Sequence, residues 1–203
     1  MKVRVLETRT SHDGFFRLLQ THLQYQRFDG TMSRPVVLES LERGEAVAVL
    51  LYDPHRDMVG LIRQFRIGPY LAEKKGWQME IVAGACEGEQ NYLDVARREV
   101  MEETGWKALS LELIQTFYLS PSAGTERIHL FLGLFDSNAP SGGGGLDHED
   151  EDIKPFTMSF DEAWSCVASG EINASTPILA MQWLAMNRKR LQKEATNRKD
   201  RLS

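Results

Sequence analysis

Cysteine is scarce in this chain: among 203 residues only Cys86 and Cys166 carry thiols. Two cysteines do not make a disulfide framework, and their spacing fits no zinc site. Reduced thiols in a cytoplasmic protein are the expectation. Long apolar runs are missing as well. The longest, Ala46 to Tyr52, is far too short to cross a bilayer, and the opening MKVRVLETRT holds no apolar stretch of signal-peptide length. A soluble protein with no membrane partner follows as an expectation. Nor is there an excess of positive charge. Lys and Arg number 24 against 29 Asp and Glu, a formal net charge of -5, so no basic face for nucleic acid is expected. No internal repeat is apparent.

What is present suffices for one compact domain with an extra N-terminal layer, because 42% of the residues are hydrophobic. A disordered chain would be poorer in apolar residues. Residues 1–44 read as a region of short strands with a turn at Phe28-Asp29-Gly30. Residues 45–203 read as the main domain. In it, strands are expected at Ala46 to Leu51, Met58 to Phe65, Trp77 to Val82, Leu111 to Tyr118 and Ile128 to Phe135.

Three helices stand out. One runs from about Asn91 to Thr104 and stops at Gly105, a left-handed cap. A second opens on Ser159-Phe160-Asp161-Glu162, a capping-box pattern, and ends near Gly170. The third has Thr176 as cap and Pro177 at its first position, and its basic end, Arg188 to Lys193, suits the negative pole of a helix. Strands mixed with a few helices define an α+β class, an α/β/α sandwich with a mixed central sheet. The run Ser141 to Gly145 reads as a hinge. The acidic stretch Leu146 to Asp152 after it is either a solvated loop or a lid carrying carboxylates.

The chemistry resides in Gly84-Ala85-Cys86-Glu87-Gly88-Glu89-Gln90 and in Arg98-Glu99-Val100-Met101-Glu102-Glu103-Thr104-Gly105-Trp106. On a helix, steps of three and four residues return to one face, so Glu99, Glu102 and Glu103 project the same way. Like charges at that spacing repel and destabilise the helix unless something cationic sits there. Hard divalent cations with oxygen ligands, Mg²⁺ or Mn²⁺, meet that need. They would also let an acidic protein hold an anionic diphosphate. Val95, Ala96 and Val100 form the apolar side of the same helix. A lone pair of glutamates would be an ordinary solvent face; the glycine loop, the Arg98-Glu99 pair, the Glu102-Glu103 pair and the closing glycine at fixed spacing are not.

This stretch resembles the Nudix box, the signature of the Nudix hydrolase superfamily. One position departs: the first glutamate of the box, six residues after its glycine, is Gln90 here, beside Glu89. Glutamine could keep a hydrogen bond to Arg98 but not a charge pair, which bears on loop rigidity more than on chemistry. The resemblance extends over roughly residues 12 to 193 and is to the bacterial ADP-ribose pyrophosphatase branch. Pro121, sixteen residues beyond Gly105, is a feature of that branch.

The resemblance implies the following roles. Glu99 and Glu103 are metal ligands, Glu102 contributes, and Ala83 offers its carbonyl. Glu149 is the general base and Glu151 a further ligand, with the assignment open to a one-residue slip within Asp147 to Asp152. Arg66 binds the diphosphate; its alternative is a strand-end surface charge. Glu126 receives the terminal ribose hydroxyls, and Ala85, Ser120, Pro121 and Ser122 line the same pocket. Phe15 and Phe16 lie near the adenine, although core packing explains Phe16 equally well. Glu39 and Arg43 contact substrate near a subunit boundary, because in the family the N-terminal strands cross to a partner and the site is shared by a homodimer. Leu38 stands where relatives often have arginine. The implied reaction is hydrolysis of ADP-ribose to AMP and ribose 5-phosphate with Mg²⁺, more than one ion per site. The competing readings are another nucleoside diphosphate sugar such as GDP-mannose, or a non-catalytic ligand sensor. The second usually lacks the box glutamates and carries a DNA-binding domain, and neither feature is read here.

Overall fold

The computed structural model describes all residues except Glu87, Glu89, Gln90, Gly143, 147–150 and 201–203, with backbone only for 198–200. The chain divides into two compact units, residues 1–45 with 117–128, and residues 46–116 with 129–203.

In the first unit, β1 (Val3–Asp13), β2 (Arg17–Tyr25) and β3 (Val36–Glu42) form an antiparallel three-stranded sheet in that order. β1 is longer than the short strands expected, and every one of its 11 residues is exposed. Register shifts after Val5 and Thr10 mark irregularities that let it bend. The turn at Phe28-Asp29-Gly30 is present: Gly30 takes φ 87°, and the Asp29 carboxylate accepts from the Thr31 N–H at 2.9 Å. Residues 117–128 close onto β3. The Leu41 N–H donates to the Ala123 carbonyl (2.8 Å) and the Thr125 N–H to the Leu41 carbonyl (3.0 Å). A Cβ on Gly124 would come within 2.9 Å of the Leu41 carbonyl oxygen, so only glycine permits this backbone approach.

The second unit is built on a seven-stranded sheet. Its path is β10 (Lys154–Ser159), β5 (Met58–Phe65), β4 (Glu45–Asp53), β9 (Arg127–Leu134) and β8 (Ser110–Tyr118); β6 (Trp77–Glu80) pairs with β5 and β7 (Val82–Cys86) with β4. β4 is central and buried from Val47 through Asp53, as its unbroken apolar run requires. The strand expected over Trp77 to Val82 is two strands, broken at Ile81, because the chain changes partner from β5 to β4 there. β10 was not read from the sequence. Pro155 lies within it, tolerated because β10 is an edge strand.

Among the described residues, four helices complete the α+β architecture: α1 (Ile67–Glu73), α2 (Tyr92–Thr104), α3 (Phe160–Ser169) and α4 (Ser175–Asp200). α1, also unforeseen, has seven residues and buries none, so it leaves no apolar stripe to read. α3 carries the expected capping box between Ser159 and Glu162 and ends on Gly170 at φ 80°. α4 differs at both ends from the reading. Its first turn closes from the Ile178 N–H to the Ala174 carbonyl (3.2 Å), which puts Pro177 at the third helical position rather than the first. The first-turn N–H groups have no helical acceptor, so proline costs no hydrogen bond there. The helix then runs past Lys193 to Asp200. Arg188 does not mark its end; its guanidinium binds Asp57 and Asp161 and lies 4.2 Å over the Phe160 ring.

Candidate active site

α2 is fixed at both ends by its own sequence. The Asn91 side chain accepts from the Leu93 N–H (3.1 Å), and Gly105 takes φ 70° and donates to the Met101 carbonyl (2.8 Å). Val95, Ala96 and Val100 enter the core with Val47, Val49, Leu51, Ile62 and Val82. That packing sets the helix rotation and carries Glu103 inward, to 2% exposure.

The Glu103 carboxylate accepts from the Ala83 N–H at 3.3 Å. Burial pushes its carboxyl up to about 9, and the neighbouring charges of Glu99 and then Glu151 add to the effect; the Ala83 N–H and Arg66 offset only part of it. Glu99 lies against Gly84 of β7: a Cβ at Gly84 would fall 2.0 Å from the Glu99 carboxyl carbon. The first glycine of the motif is therefore a steric requirement of its first helix glutamate. Arg98 donates to Glu99 and to Glu102, each at 2.6 Å. Glu102 is thereby turned toward the arginine, while Glu99 and Glu103 bracket the β7 backbone at Ala83 and Gly84. Among the described residues, no three His, Cys, Asp or Glu side chains close into a ready-made metal cage.

Three residues of the glycine run expected as a hinge, Gly142, Gly144 and Gly145, bond to α2. The N–H of Gly142 donates to the Thr104 carbonyl (3.1 Å), and those of Gly144 and Gly145 to the Glu102 carbonyl (3.4 and 3.3 Å). These carbonyls, at the helix C-terminus, lack helical partners. Gly145 has φ 85° and touches Glu151, where a Cβ would come within 2.5 Å of the Glu151 Cβ. Glu151 is thus held on the side of α2 where its charge reaches Glu103 and Arg66. Glu149 lies outside the described residues.

Arg66 stands at the N-cap position of α1, just past the end of β5, without a side-chain capping bond. Its guanidinium is clasped by Glu80 of β6, with Nη2 2.7 Å and Nε 3.2 Å from the carboxylate. Gln64 donates to the same carboxylate at 3.3 Å. Glu80 was missed in the sequence. The one available signal was a carboxylate on an inward-reading strand, and its partner is set by the β5–β6 hairpin. Ala85 is exposed on β7, one residue past Gly84.

The remaining candidates belong to the first unit. Arg43 stands 5.1 Å and 5.0 Å over the rings of Phe15 and Phe16, which meet edge to face at 4.9 Å. Its Nε lies 3.7 Å from the Glu126 carboxylate. Ser120, Pro121 and Ser122 are exposed in the turn whose Ser120 carbonyl accepts from the N–H groups of Ala123 and Gly124, both at 3.0 Å. Glu39 does not join this cluster; its partner is Gln20 on β2, at 3.4 Å. Phe15 is exposed, so neither ring of the pair sits in a closed core.

Residues 42–180 match the NUDIX domain model, and the chain belongs to the Nudix family. It is 36% identical over 192 residues to the ADP-ribose pyrophosphatase of Escherichia coli (strain K12), covering 95% of this chain and 92% of that protein. Against the ADP-ribose pyrophosphatase of Haemophilus influenzae it is 35% identical over 193 residues, 94% and 89% of the two chains. A GDP-mannose pyrophosphatase of Escherichia coli (strain UTI89 / UPEC) is 30% identical over 188 residues, 92% and 96%. A crystal structure of an ADP compounds hydrolase superposes with a TM-score of 0.68 over 92% of this chain and 96% of that one; at 18% identity it speaks for the fold.

Proposed function

We propose that this protein hydrolyses the diphosphate bond of ADP-ribose to AMP and ribose 5-phosphate, using divalent cations, Mg²⁺ with Mn²⁺ as substitute. The observation that carries the reading is the pair Glu99 and Glu103 set about the β7 backbone, with Glu103 so buried that its ionised form calls for a cation. The donor set fits a hard metal: carboxylates of Glu99, Glu103 and Glu151 and the carbonyl of Ala83, all oxygen. More than one ion per site suits a diphosphate. When bound, such ions neutralise phosphate oxygens and lower the pKa of water.

The protein's own groups do the rest. Arg66, oriented by Glu80, presents its guanidinium edge to phosphate oxygens. A carboxylate of the Asp147 to Asp152 stretch takes the proton of the attacking water; the family resemblance implies Glu149 for that task, with Glu151 beside the metal carboxylates. Gly144 and Gly145 donate to the Glu102 carbonyl, and Glu151 lies against Gly145. Phe15, Phe16 and Arg43 offer flat surfaces to a base, and Glu126 accepts from ribose hydroxyls. Greater similarity to ADP-ribose pyrophosphatases than to the GDP-mannose enzyme favours adenine and ribose over guanine and mannose.

The exposed apolar residues Val3, Val5 and Leu6 of β1 and Val37 and Leu38 of β3 support a homodimer through these strands. Among the described residues no helix is long and apolar enough to cross a membrane. Cys86 and Cys166 form no disulfide; reduced thiols suit the cytoplasm, and we assign the enzyme there. The test is AMP release from ADP-ribose, GDP-mannose and dinucleotides with Mg²⁺ and with EDTA. ADP-ribose gives the highest kcat/KM and chelation abolishes turnover. Hydrolysis that survives chelation, or a clear preference for GDP-mannose, contradicts the proposal.

A further inference from the structure

α2 has a second, outward face that meets the metal-side carboxylates only through Arg98. Asp94, Arg97, Arg98 and Met101 recur along it at steps of three and four residues and are all exposed. With Trp106 and Lys107 beyond the helix end, they border a groove of about 590 Å³, in the size range of small-molecule sites. Three cations and one carboxylate line it; with Arg98 paired to Glu99 and Glu102, the charge left to a ligand is that of Arg97 and Lys107 against Asp94, in a chain whose net charge is -5. A local positive surplus on an acidic protein selects anions. The positions are held. Arg97 donates from Nη1 to the Ala108 carbonyl at 3.2 Å, and Arg98 is anchored by Glu99 and Glu102. The nearly buried indole of Trp106 donates to the Ala139 carbonyl at 3.1 Å, which locks the wall it forms. The exposed Met101 side chain supplies an adaptable apolar surface beside the guanidinium groups.

We infer that this groove binds a small phosphate monoester, its phosphate at Arg97 and Lys107 and its organic body against Met101 and Trp106. Guanidinium forks match phosphate oxygens, and the apolar wall favours an ester with a ring over inorganic phosphate. An acidic peptide is a poorer match, since the groove is local and its rim carries Asp94. Because Arg98 also holds Glu99 and Glu102, an anion here competes with those carboxylates for one guanidinium.

The test is titration of metal-free protein in EDTA with AMP and, separately, with inorganic phosphate, by calorimetry and by the Trp106 indole N–H signal in NMR. It involves no turnover, so it can fail while the proposed hydrolysis stands, and the reverse. AMP is expected to bind saturably, more tightly than phosphate, and to shift Trp106. Lys107→Glu, an exposed side chain, and Arg97→Gln each weaken binding by about tenfold, the worth of one charged contact. Glu103→Gln leaves it unchanged. No saturation by about 10 mM, at the weak end of specific binding, overturns the inference. Equal affinity in the Lys107 and Arg97 variants, or loss of binding in Glu103→Gln, overturns it too.

Discussion

The helix α2 region and the N-terminal unit each gather residues for which the family resemblance implies a role, but by opposite means. Around α2 the carboxylates are buried and constrained. Glu103 is 2% exposed, and Glu99 fits only because Gly84 has no side chain. In the N-terminal unit, exposed Phe15 and half-buried Arg43 and Glu126 hold one another through ring faces and a 3.7 Å ion pair. Buried charge is expensive and is kept only where it has a use. Exposed clusters are inexpensive and adaptable. The first region is suited to chemistry and the second to holding a ligand, and variants in the two should fail differently.

The largest effect is expected at Gly84. Gly84→Ala drives a Cβ into Glu99 and displaces it, so kcat/KM falls by about 100-fold while the fold is retained. Steady-state kinetics and circular dichroism check both halves. Next is Glu80→Gln, which leaves Arg66 its place but loosens its clasp. A loss of about 10- to 100-fold in kcat is expected, as for other orienting partners, and near-normal turnover would show that Arg66 orients itself.

On the exposed side, Arg43→Ala should raise KM by about 3- to 30-fold, the range of a cation–π contact, with kcat nearly constant. A fall in kcat of the size expected at Gly84 would erase the contrast between the regions. The smallest effect is on stability. The Glu103 carboxyl, pushed to about 9 by burial, keeps its proton in the folded metal-free protein at pH values where the unfolded chain has lost it. The native state then binds more protons, so stability falls as pH rises from about 4.5 toward about 9. Thermal melts in EDTA should show a Tm drop of about 5 °C or more across pH 6 to 9, and Glu103→Gln should flatten it.

The two regions also differed in what sequence alone reveals. α2, its caps at Asn91 and Gly105, its buried stripe and its glutamates lie at local spacings, and local spacings are readable. The clasp of Arg66 by Glu80 depends on hairpin register, and the meeting of Arg43 with Glu126 on the closure of residues 117–128 onto β3. Neither leaves a periodic signal. The resemblance supplied Arg43 and Glu126 as names, not as partners. Gly144 and Gly145 read as freedom in the sequence, whereas in the structure they allow a close approach to the carbonyl of Glu102. α1 was too short to read, and β10 was obscured by Pro155.

The most direct measurement is Mn²⁺ binding to wild type, Glu103→Gln and Glu39→Gln, followed by electron paramagnetic resonance without substrate. The α2 account predicts binding in wild type, a loss of about 100-fold or more in affinity for Glu103→Gln, several kcal/mol of coordination, and no change for Glu39→Gln. Equal Mn²⁺ affinity in all three proteins would contradict it.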